Sequence, residues 1–203
     1  LMDSTMISSL PVVSVNDVLK FVAGVDVRQR GDMGAQTDIS MRGGTSDQIA
    51  VYLDGINICD PQTGHNAMDI PLDVNDIERI EILSGPAGVA YGSSSLTGAI
   101  NIVTKKCTSS GVSAHAEGGS YGYFNGGARV GLVTGKVSNQ ISAGYLRSDG
   151  FSRNSAGGLN SDYQTVKASY HGTFKSRAAD LDWHAGLSAR DFGSNTFYSA
   201  KFD

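Results

Sequence analysis

A chain of 203 residues with 40% hydrophobic and 18% charged residues is long enough for one or two folded domains. Its formal net charge of -4, without a lysine- or arginine-rich block, excludes the basic face typical of nucleic-acid-binding proteins, so we expect no nucleic acid partner. The 26 glycines against 4 prolines favour a chain rich in strands and tight turns.

The first predicted element is a short amphipathic helix from Val15 to Ala23. Ser14 and Asp17 have the spacing of a capping box, and Gly24 can end the helix in a left-handed conformation. The apolar residues that share one face are Val18, Leu19 and Val22. We therefore expect this helix to pack on a sheet and to carry no chemistry.

Alternating polar and apolar residues predict strands next. They lie from Asp38 to Arg42 and from Gln48 to Asp54. Before them, Val25 and Val27 lead into a polar loop, residues 28–36. The Asp54-Gly55 pair is typical of a tight hairpin turn, so the chain should reverse there.

The run from Asp76 to Lys106 is the most specific part of the sequence and reads DIERIEILSGPAGVAYGSSSLTGAINIVTKK. Residues 79–83 predict one strand and residues 99–104 a second, with a small-residue, glycine-rich loop between them. A phosphate-binding loop would end in Gly-Lys-Ser or Gly-Lys-Thr, and no such triplet occurs. This pattern indicates a mechanical role rather than catalysis.

The elements ERIE, GP, YG, G, IN and TK of this run resemble, in order, the signature of the plug domain of TonB-dependent outer-membrane receptors. The MRG of residues 41–43 and the YLDG of residues 52–55 resemble further plug elements, so the resemblance spans about residues 13–106. It implies an α+β plug domain over residues 1–106 and a protein that is not an enzyme. The serines at 93–95 also lack the GxSxG pattern of a hydrolase.

Beyond Cys107, five segments of period-2 alternation follow one another. The last two can each extend over about eleven residues, close to the 9 to 11 that a tilted strand needs to cross a bilayer. Short and long breaks between the segments also alternate, as in an outer-membrane barrel. Residues 107–203 are therefore expected to be the N-terminal part of an outer-membrane β-barrel. A soluble antiparallel sandwich would show the same period without the preceding signature.

Five or six strands cannot close a barrel around a plug, and open strand edges in lipid would leave backbone groups unpaired. We therefore expect a fragment of a longer transporter. The resemblance implies a 22-stranded barrel whose other strands lie beyond Asp203, and a TonB box before Leu1. It also implies an outer-membrane location, contact with outer-membrane lipid, a plug inside the barrel lumen, and the periplasmic protein TonB as the energy-coupling partner.

By family resemblance, two loops lie at the plug apex, where a small-molecule nutrient would be sensed. They are residues 28–36 and residues 58–69, and loops of this kind often carry binding groups. The predicted ligand-binding residues are Arg30, Asp32, Asp60, Gln62, His65 and Asn66. The alternative is that Asp60-Pro61 only begins a turn and His65 is solvated.

No metal or cofactor is predicted. His65 has no partner at ligand spacing for haem, and Asp149 with Asp162 offers too few oxygen ligands for calcium. Cys59 and Cys107 have no metal-site spacing, which favours two unpaired thiols.

Arg42 resembles a plug arginine that meets barrel glutamates in this family. With Arg79 and Glu81 it is the predicted latch between plug and barrel, since removing one partner of a buried charge pair strands the other. Ser84 departs from the family pattern, in which arginine or lysine often precedes Gly-Pro, so the charge cluster should be smaller here.

The plug loops, the compact SYGYF loop of residues 120–124 and the RSDGF of residues 147–151 look most like the cobalamin receptor branch. The expected cargo is cobalamin or a related corrinoid. The alternatives are a ferric siderophore or haem receptor and, third, a glycan importer. From another class, the alternative is a soluble secreted β-rich binding module.

Overall fold

The computed structural model describes residues 1–29, 37–45, 48–59, 70–85, 97–150 and 161–193. They form two compact units. The first comprises the described residues up to Ile70 and from Val74 to Lys105. The second comprises Pro71–Asp73 and the described residues from Lys106 onward.

Two short helices belong to the first unit, α1 (Ser4–Ser9) and α2 (Val15–Lys20). Ser14 caps α2 as its position predicts, because its Oγ accepts the backbone N–H of Asp17 at 3.2 Å and donates to Asp17 Oδ2 at 2.8 Å. The sequence did not indicate α1, which Asp3 caps through its carboxylate. Among the described residues, no helix is long and apolar enough to cross a membrane.

The predicted end of the second helix at Ala23 is wrong. The chain leaves α-helical geometry at Phe21. The N–H groups of Phe21 and Val22 bond to carbonyls three residues back, each at 3.1 Å, so the last turn tightens and stops the helix early.

The strands of the first unit are, in chain order, β1 (Met2–Asp3), β2 (Val25–Gln29), β3 (Thr37–Met41), β4 (Ile49–Leu53), β5 (Ile56–Asn57), β6 (Ile77–Ser84) and β7 (Gly98–Thr104). Five of them form one sheet in the order β1-β6-β7-β4-β5, and β2 pairs with β3 separately. The predicted strand to Arg42 is one residue too long, since β3 ends at Met41 and Arg42 has a positive φ of 51°.

The two strands of the signature run are neighbours, as predicted. β6 pairs with β7 antiparallel, and β7 pairs on its other side with β4 in parallel. Every residue of β7 is buried, which explains its nearly continuous apolar sequence. Ile80, Ile100 and Ile102 have no exposed surface and form the middle of this sheet's core. The glycine-rich loop, residues 86–96, lies outside the described residues.

The Asp54-Gly55 turn is confirmed. Both residues have positive φ angles, 49° and 83°, and Leu53 pairs with Ile56 across them. This is the geometry of a two-residue hairpin that an Asp-Gly pair favours.

The second unit contains a five-stranded antiparallel meander in which each strand pairs with the next. Its strands are β8 (Gly111–Gly118), β9 (Phe124–Thr134), β10 (Val137–Ser148), β11 (Tyr163–Lys175) and β12 (Asp180–Phe192). We call this sheet the wall. The connections after β9 and β11 are short and lie on one rim, and those after β8 and β10 lie on the other. The predicted strand order and the alternation of breaks are confirmed.

Close packing at the start of β7 gives a stability prediction. A Cβ at Gly98 would lie 2.8 Å from both the carbonyl oxygen of Leu83 and Met41 Cε. Gly98→Ala should therefore destabilise the first unit by about 1–3 kcal/mol through overpacking. The measurement is the urea concentration at which the amides of the buried strand β7 lose protection from hydrogen exchange in the full-length protein. Gly111→Ala, where a Cβ meets nothing within 4 Å, should leave that midpoint unchanged.

Candidate functional site

All six predicted ligand-binding residues, Arg30, Asp32, Asp60, Gln62, His65 and Asn66, lie outside the described residues. The structure describes the elements on either side of the two segments that contain them. Residues 30–36 join β2 to β3, and residues 60–69 connect the segment after β5 to the buried Ile70. Their ligand-binding role stays a prediction.

A network of charges crosses β6 and β7 in the first unit. The guanidinium of Arg79 contacts Glu78 at 2.7 Å and Glu81 at 2.8 Å. Asn101 Nδ2 donates to Glu81 Oε2 at 2.9 Å, and Asn101 Oδ1 accepts the backbone N–H of Gly55 at 3.0 Å. The network thus ties β6 and β7 to the turn between β4 and β5. Two of the three predicted latch residues, Arg79 and Glu81, are partners of each other within this unit.

The network has an electrostatic signature. The hydrogen bond from Asn101 and then that from Arg79 lower the pKa of Glu81 below its ordinary value of 4.5. The hydrogen bond to Glu81 raises the pKa of Arg79. Both side chains are therefore charged at neutral pH, and Glu81 stays ionised to a lower pH than an ordinary glutamate does.

A second polar contact closes the same turn. Asp54 Oδ1 accepts the backbone N–H of Thr104 at 2.9 Å, and Asp54 Oδ2 accepts the Thr104 hydroxyl at 2.7 Å. Sequence reasoning treated Asp54 only as a turn residue and Asn101 only as part of a strand. A polar residue inside the apolar run AINIVT was the available signal, because a buried amide needs hydrogen-bond partners.

Arg42, the third predicted latch residue, lies in the exposed turn after β3. A Cβ at Gly85 would approach Arg42 Nη1 to 3.2 Å, so this side chain reaches the end of β6. The latch function of Arg42, Arg79 and Glu81 stays a prediction.

The wall has one apolar and one polar face. On the apolar face, exposed apolar side chains occupy alternate positions along the strands. The most exposed of them are Val112, Leu132, Ile141, Leu181 and Leu187. The opposite face carries buried polar residues, among them Asn125, Gln140, Ser142, Thr165, His171 and Thr173. A soluble sandwich buries its apolar face. The wall has the reverse arrangement, which is that of an outer-membrane barrel strand.

Polar side chains form hydrogen bonds across neighbouring strands of the wall. On the polar face, which we call the inner face, Ser142 and Ser169 share a hydrogen bond of 2.6 Å. On the apolar face, the Tyr170 hydroxyl donates to Asn139 Oδ1 at 2.8 Å. Asp182 Oδ2 forms an ion pair with Lys106 Nζ at 3.1 Å, and Asp182 Oδ1 lies 2.6 Å from His171 Nε2. These contacts join the first residue of the wall segment to its last two strands.

His171 and His184 face each other across β11 and β12, with ring centroids 3.9 Å apart and planes 27° from parallel. Imidazole nitrogens bind a metal within the plane of the ring. Two stacked rings direct those nitrogens nearly side by side rather than to one point, so this pair is not assigned as a metal centre.

Hydrogen bonds to a backbone carbonyl join the two connections of the rim formed by the β8–β9 and β10–β11 connections. Tyr121, with a positive φ of 59°, offers its carbonyl to the N–H of Asp149 at 2.7 Å and to Ser148 Oγ at 3.1 Å. Burial, followed by the nearby charge of Glu117, raises the pKa of Tyr123 to about 12. The SYGYF loop is therefore braced against the start of the next long connection.

Comparisons with known proteins agree with this arrangement. Residues 2–99 match the family described as TonB-dependent Receptor Plug Domain. The vitamin B12 transporter BtuB of Vibrio vulnificus (strain CMCP6) is 32% identical over 193 residues, covering 91% of this chain and 31% of that protein. The chain therefore spans about a third of the length of that curated relative.

Solved structures share the fold at lower identity. The siderophore receptor PirA from Acinetobacter baumannii matches with a TM-score of 0.70 and 20% identity, covering 99% of this chain and 34% of that one. The ferric yersiniabactin uptake receptor FyuA from Yersinia pestis matches with a TM-score of 0.71 and 21% identity, covering 93% and 30%. At these identities the likeness concerns the fold alone.

The Glu81 carboxylate should make the stability of the first unit depend on pH. Because its pKa is lowered on folding, it stabilises the fold above pH 4.5, and this contribution is lost as the pH falls through the folded-state value. Glu81→Gln should lose less stability than the parent between pH 6 and pH 3.5, measured by the urea midpoint at which the amides of β7 lose protection from hydrogen exchange, with intrinsic exchange rates corrected for pH. Glu78→Gln removes one Arg79 ion pair but keeps the Asn101 bond, so it should behave as the parent. Equal pH profiles for all three proteins would contradict this account.

The two faces of the wall predict opposite tolerance to charge. Leu187, near the middle of β12, is 66% exposed on the apolar face, whereas Ser188 is on the polar face. Leu187→Lys should cost about 2–4 kcal/mol of stability in lipid vesicles, the cost of a charge near the bilayer midplane. Ser188→Lys is the matched control and should cost less. Equal effects on unfolding of the full-length protein would contradict the assignment of faces.

Proposed function

Since the chain carries a plug domain of the TonB-dependent outer-membrane receptors followed by the first strands of their barrel, we propose that the full-length protein imports a scarce nutrient across the outer membrane. The plug gates the pore. TonB in the periplasm supplies the work, because the outer membrane has neither ATP nor an ion gradient of its own.

The observation that carries this proposal is the combination of two sheets of opposite character in one chain. The first unit buries an apolar core around β7. The wall exposes apolar residues and buries polar ones. A plug needs the first arrangement because it folds in water, and a barrel needs the second because lipid surrounds it.

Gating requires that the nutrient bind one plug arrangement better than another, because a ligand shifts an equilibrium only by its differential affinity. The loops of residues 30–36 and 60–69 are the proposed sensors, through Arg30, Asp32, Asp60, Gln62, His65 and Asn66. Arg42, Arg79 and Glu81 are the proposed latch residues. The Arg79–Glu81–Asn101 network supports a latch, because it would transmit a shift of β6 to the β4–β5 turn.

Cobalamin or a related corrinoid is the proposed cargo. The 32% identity with the vitamin B12 transporter BtuB supports it, as does the layout of the SYGYF and RSDGF segments. A ferric siderophore is the second candidate, favoured by the structural likeness to PirA and FyuA. That likeness is below 25% identity, so it weighs less than the sequence relative.

Binding titrations separate the two cargoes. Purified full-length receptor should bind cyanocobalamin saturably, and cells carrying it should accumulate radiolabelled cyanocobalamin only when TonB is present. Ferric yersiniabactin and ferric enterobactin should show no saturable binding at the same concentrations. Saturable binding of a ferric chelate without binding of cyanocobalamin would replace the corrinoid proposal by the siderophore one.

The loop assignment makes a separate prediction. Gln62→Ala and Asn66→Ala together should weaken binding of the accepted nutrient at least tenfold, about 1.4 kcal/mol, because each removes hydrogen-bonding groups. Ser176→Ala, in the short connection between β11 and β12, is the control and should bind as the parent. Unchanged affinity in the double variant would remove residues 60–69 from the proposed site.

A further inference from the structure

Three residues of the plug half of the sequence belong to the other unit. Pro71, Leu72 and Asp73 group with the wall, whereas Ile70 before them and Val74 after them group with the first unit. Leu72 is only 5% exposed. No sequence pattern indicated this excursion. We call residues 71–73 the strap.

The strap makes polar contacts with the inner face of the wall at two separate strands. Lys167 Nζ, on β11, donates to the carbonyl oxygen of Leu72 at 3.3 Å. Asp73 Oδ2 lies 3.5 Å from His115 Nε2, on β8. Contacts with the main chain as well as a side chain hold the strap in one register along the wall.

Glycines let the strap approach the wall closely. Gly127 and Gly144 are directly opposed across β9 and β10, and a Cβ on either would lie 3.3 Å from Asp73 Oδ2. A Cβ on Gly186, in β12, would overlap the ring of Pro71. Glycine weakens a strand interior and usually marks a close approach by another backbone. Gly144 and Gly186 leave room for Asp73 and Pro71, whereas a Cβ on Gly127 would first meet two atoms of the wall, His115 Cε1 at 2.7 Å and the Ala143 carbonyl oxygen at 3.1 Å. We call the strip of the wall under Pro71 and Asp73, lined by these glycines, the groove.

We propose that the strap is a fixed anchor, which stays seated in this glycine-lined groove while the residues before it move during gating. This inference rests on the proposed gating function, and it adds that the segment that moves during gating ends at residue 70. Force from TonB would enter at the N-terminal side of the plug. β1 is paired with β6, and β4 with β7. Once these pairings have separated, force carried along the chain reaches the strap before it reaches β6 and β7, so the wall bears the load there.

Thiol labelling in living cells tests the anchor. The full-length receptor, with Cys59→Ala and Cys107→Ala, carries one new cysteine: Val51→Cys in β4, before the strap, or Leu72→Cys in the strap. Both positions are buried, at 2% and 5% exposure. Cells are supplied with cyanocobalamin and ferric siderophores together, so that either cargo can drive the plug, and are treated with a small maleimide.

Val51→Cys should label at least tenfold faster with TonB than without it, and Leu72→Cys should label at the same slow rate in both. TonB-dependent labelling of Leu72→Cys to the extent of Val51→Cys would overturn the anchor. Absence of TonB-dependent labelling at both positions would also overturn it. That outcome would place the failure in the proposed gating, because then no part of the plug moves.

The groove is tested in resting receptor, without TonB or nutrient. Gly186→Val should displace Pro71 and raise the labelling rate of Leu72→Cys at least tenfold, and Gly111→Val, with open space around it, should leave the rate unchanged. Far-ultraviolet circular dichroism, and a difference in electrophoretic mobility between heated and unheated samples, check that both variants fold. Protection of Leu72→Cys in folded Gly186→Val would show that the groove does not seat the strap.

Discussion

The need to pair every backbone hydrogen-bonding group determines how the wall is built. In hydrocarbon an unpaired N–H or C=O costs several kcal/mol, so a spanning strand must be bonded on both sides. Within the described wall, β9, β10 and β11 meet this requirement, because each is paired on both sides in the antiparallel ladder from β8 to β12. Because side chains alternate along such strands, one register places the apolar residues outward and the polar ones inward, and a slip of one residue would reverse them.

The first unit solves a different problem with similar elements. Its central strand, β7, is buried along its whole length between an antiparallel and a parallel neighbour. Its charged groups lie within β6, at Arg79 and Glu81, and at the β4–β5 turn, at Asp54. Hydrogen bonds to Asn101 and Thr104 connect β6 and the turn to the core strand. Movement of one strand would therefore disturb charged hydrogen bonds as well as apolar contacts.

The wall and the first unit meet their functional demands in complementary ways. Polar inner-face residues such as Gln140, Ser142 and Thr173 suit a wet lumen, and glycines at 127, 144 and 186 give up side-chain packing for close approach by the strap. The proposed gating requires a plug that is held firmly at rest and yet is released under load. A short seated segment, joined to a larger part with its own core, would allow both.

The sequence by itself determined the start of α2, the strands from β3 onward, the Asp54-Gly55 turn, the β6–β7 pair and the alternation of the wall, because these depend on local period and on residues close together in the chain. Tertiary structure decided the rest. The partners of Asn101 and Asp54 come from strands about 20 and 50 residues away, and the seat of Pro71–Asp73 depends on glycines from three separate strands. Contacts between residues so far apart leave no periodic trace in a single sequence, because no local spacing records which strand will become a neighbour.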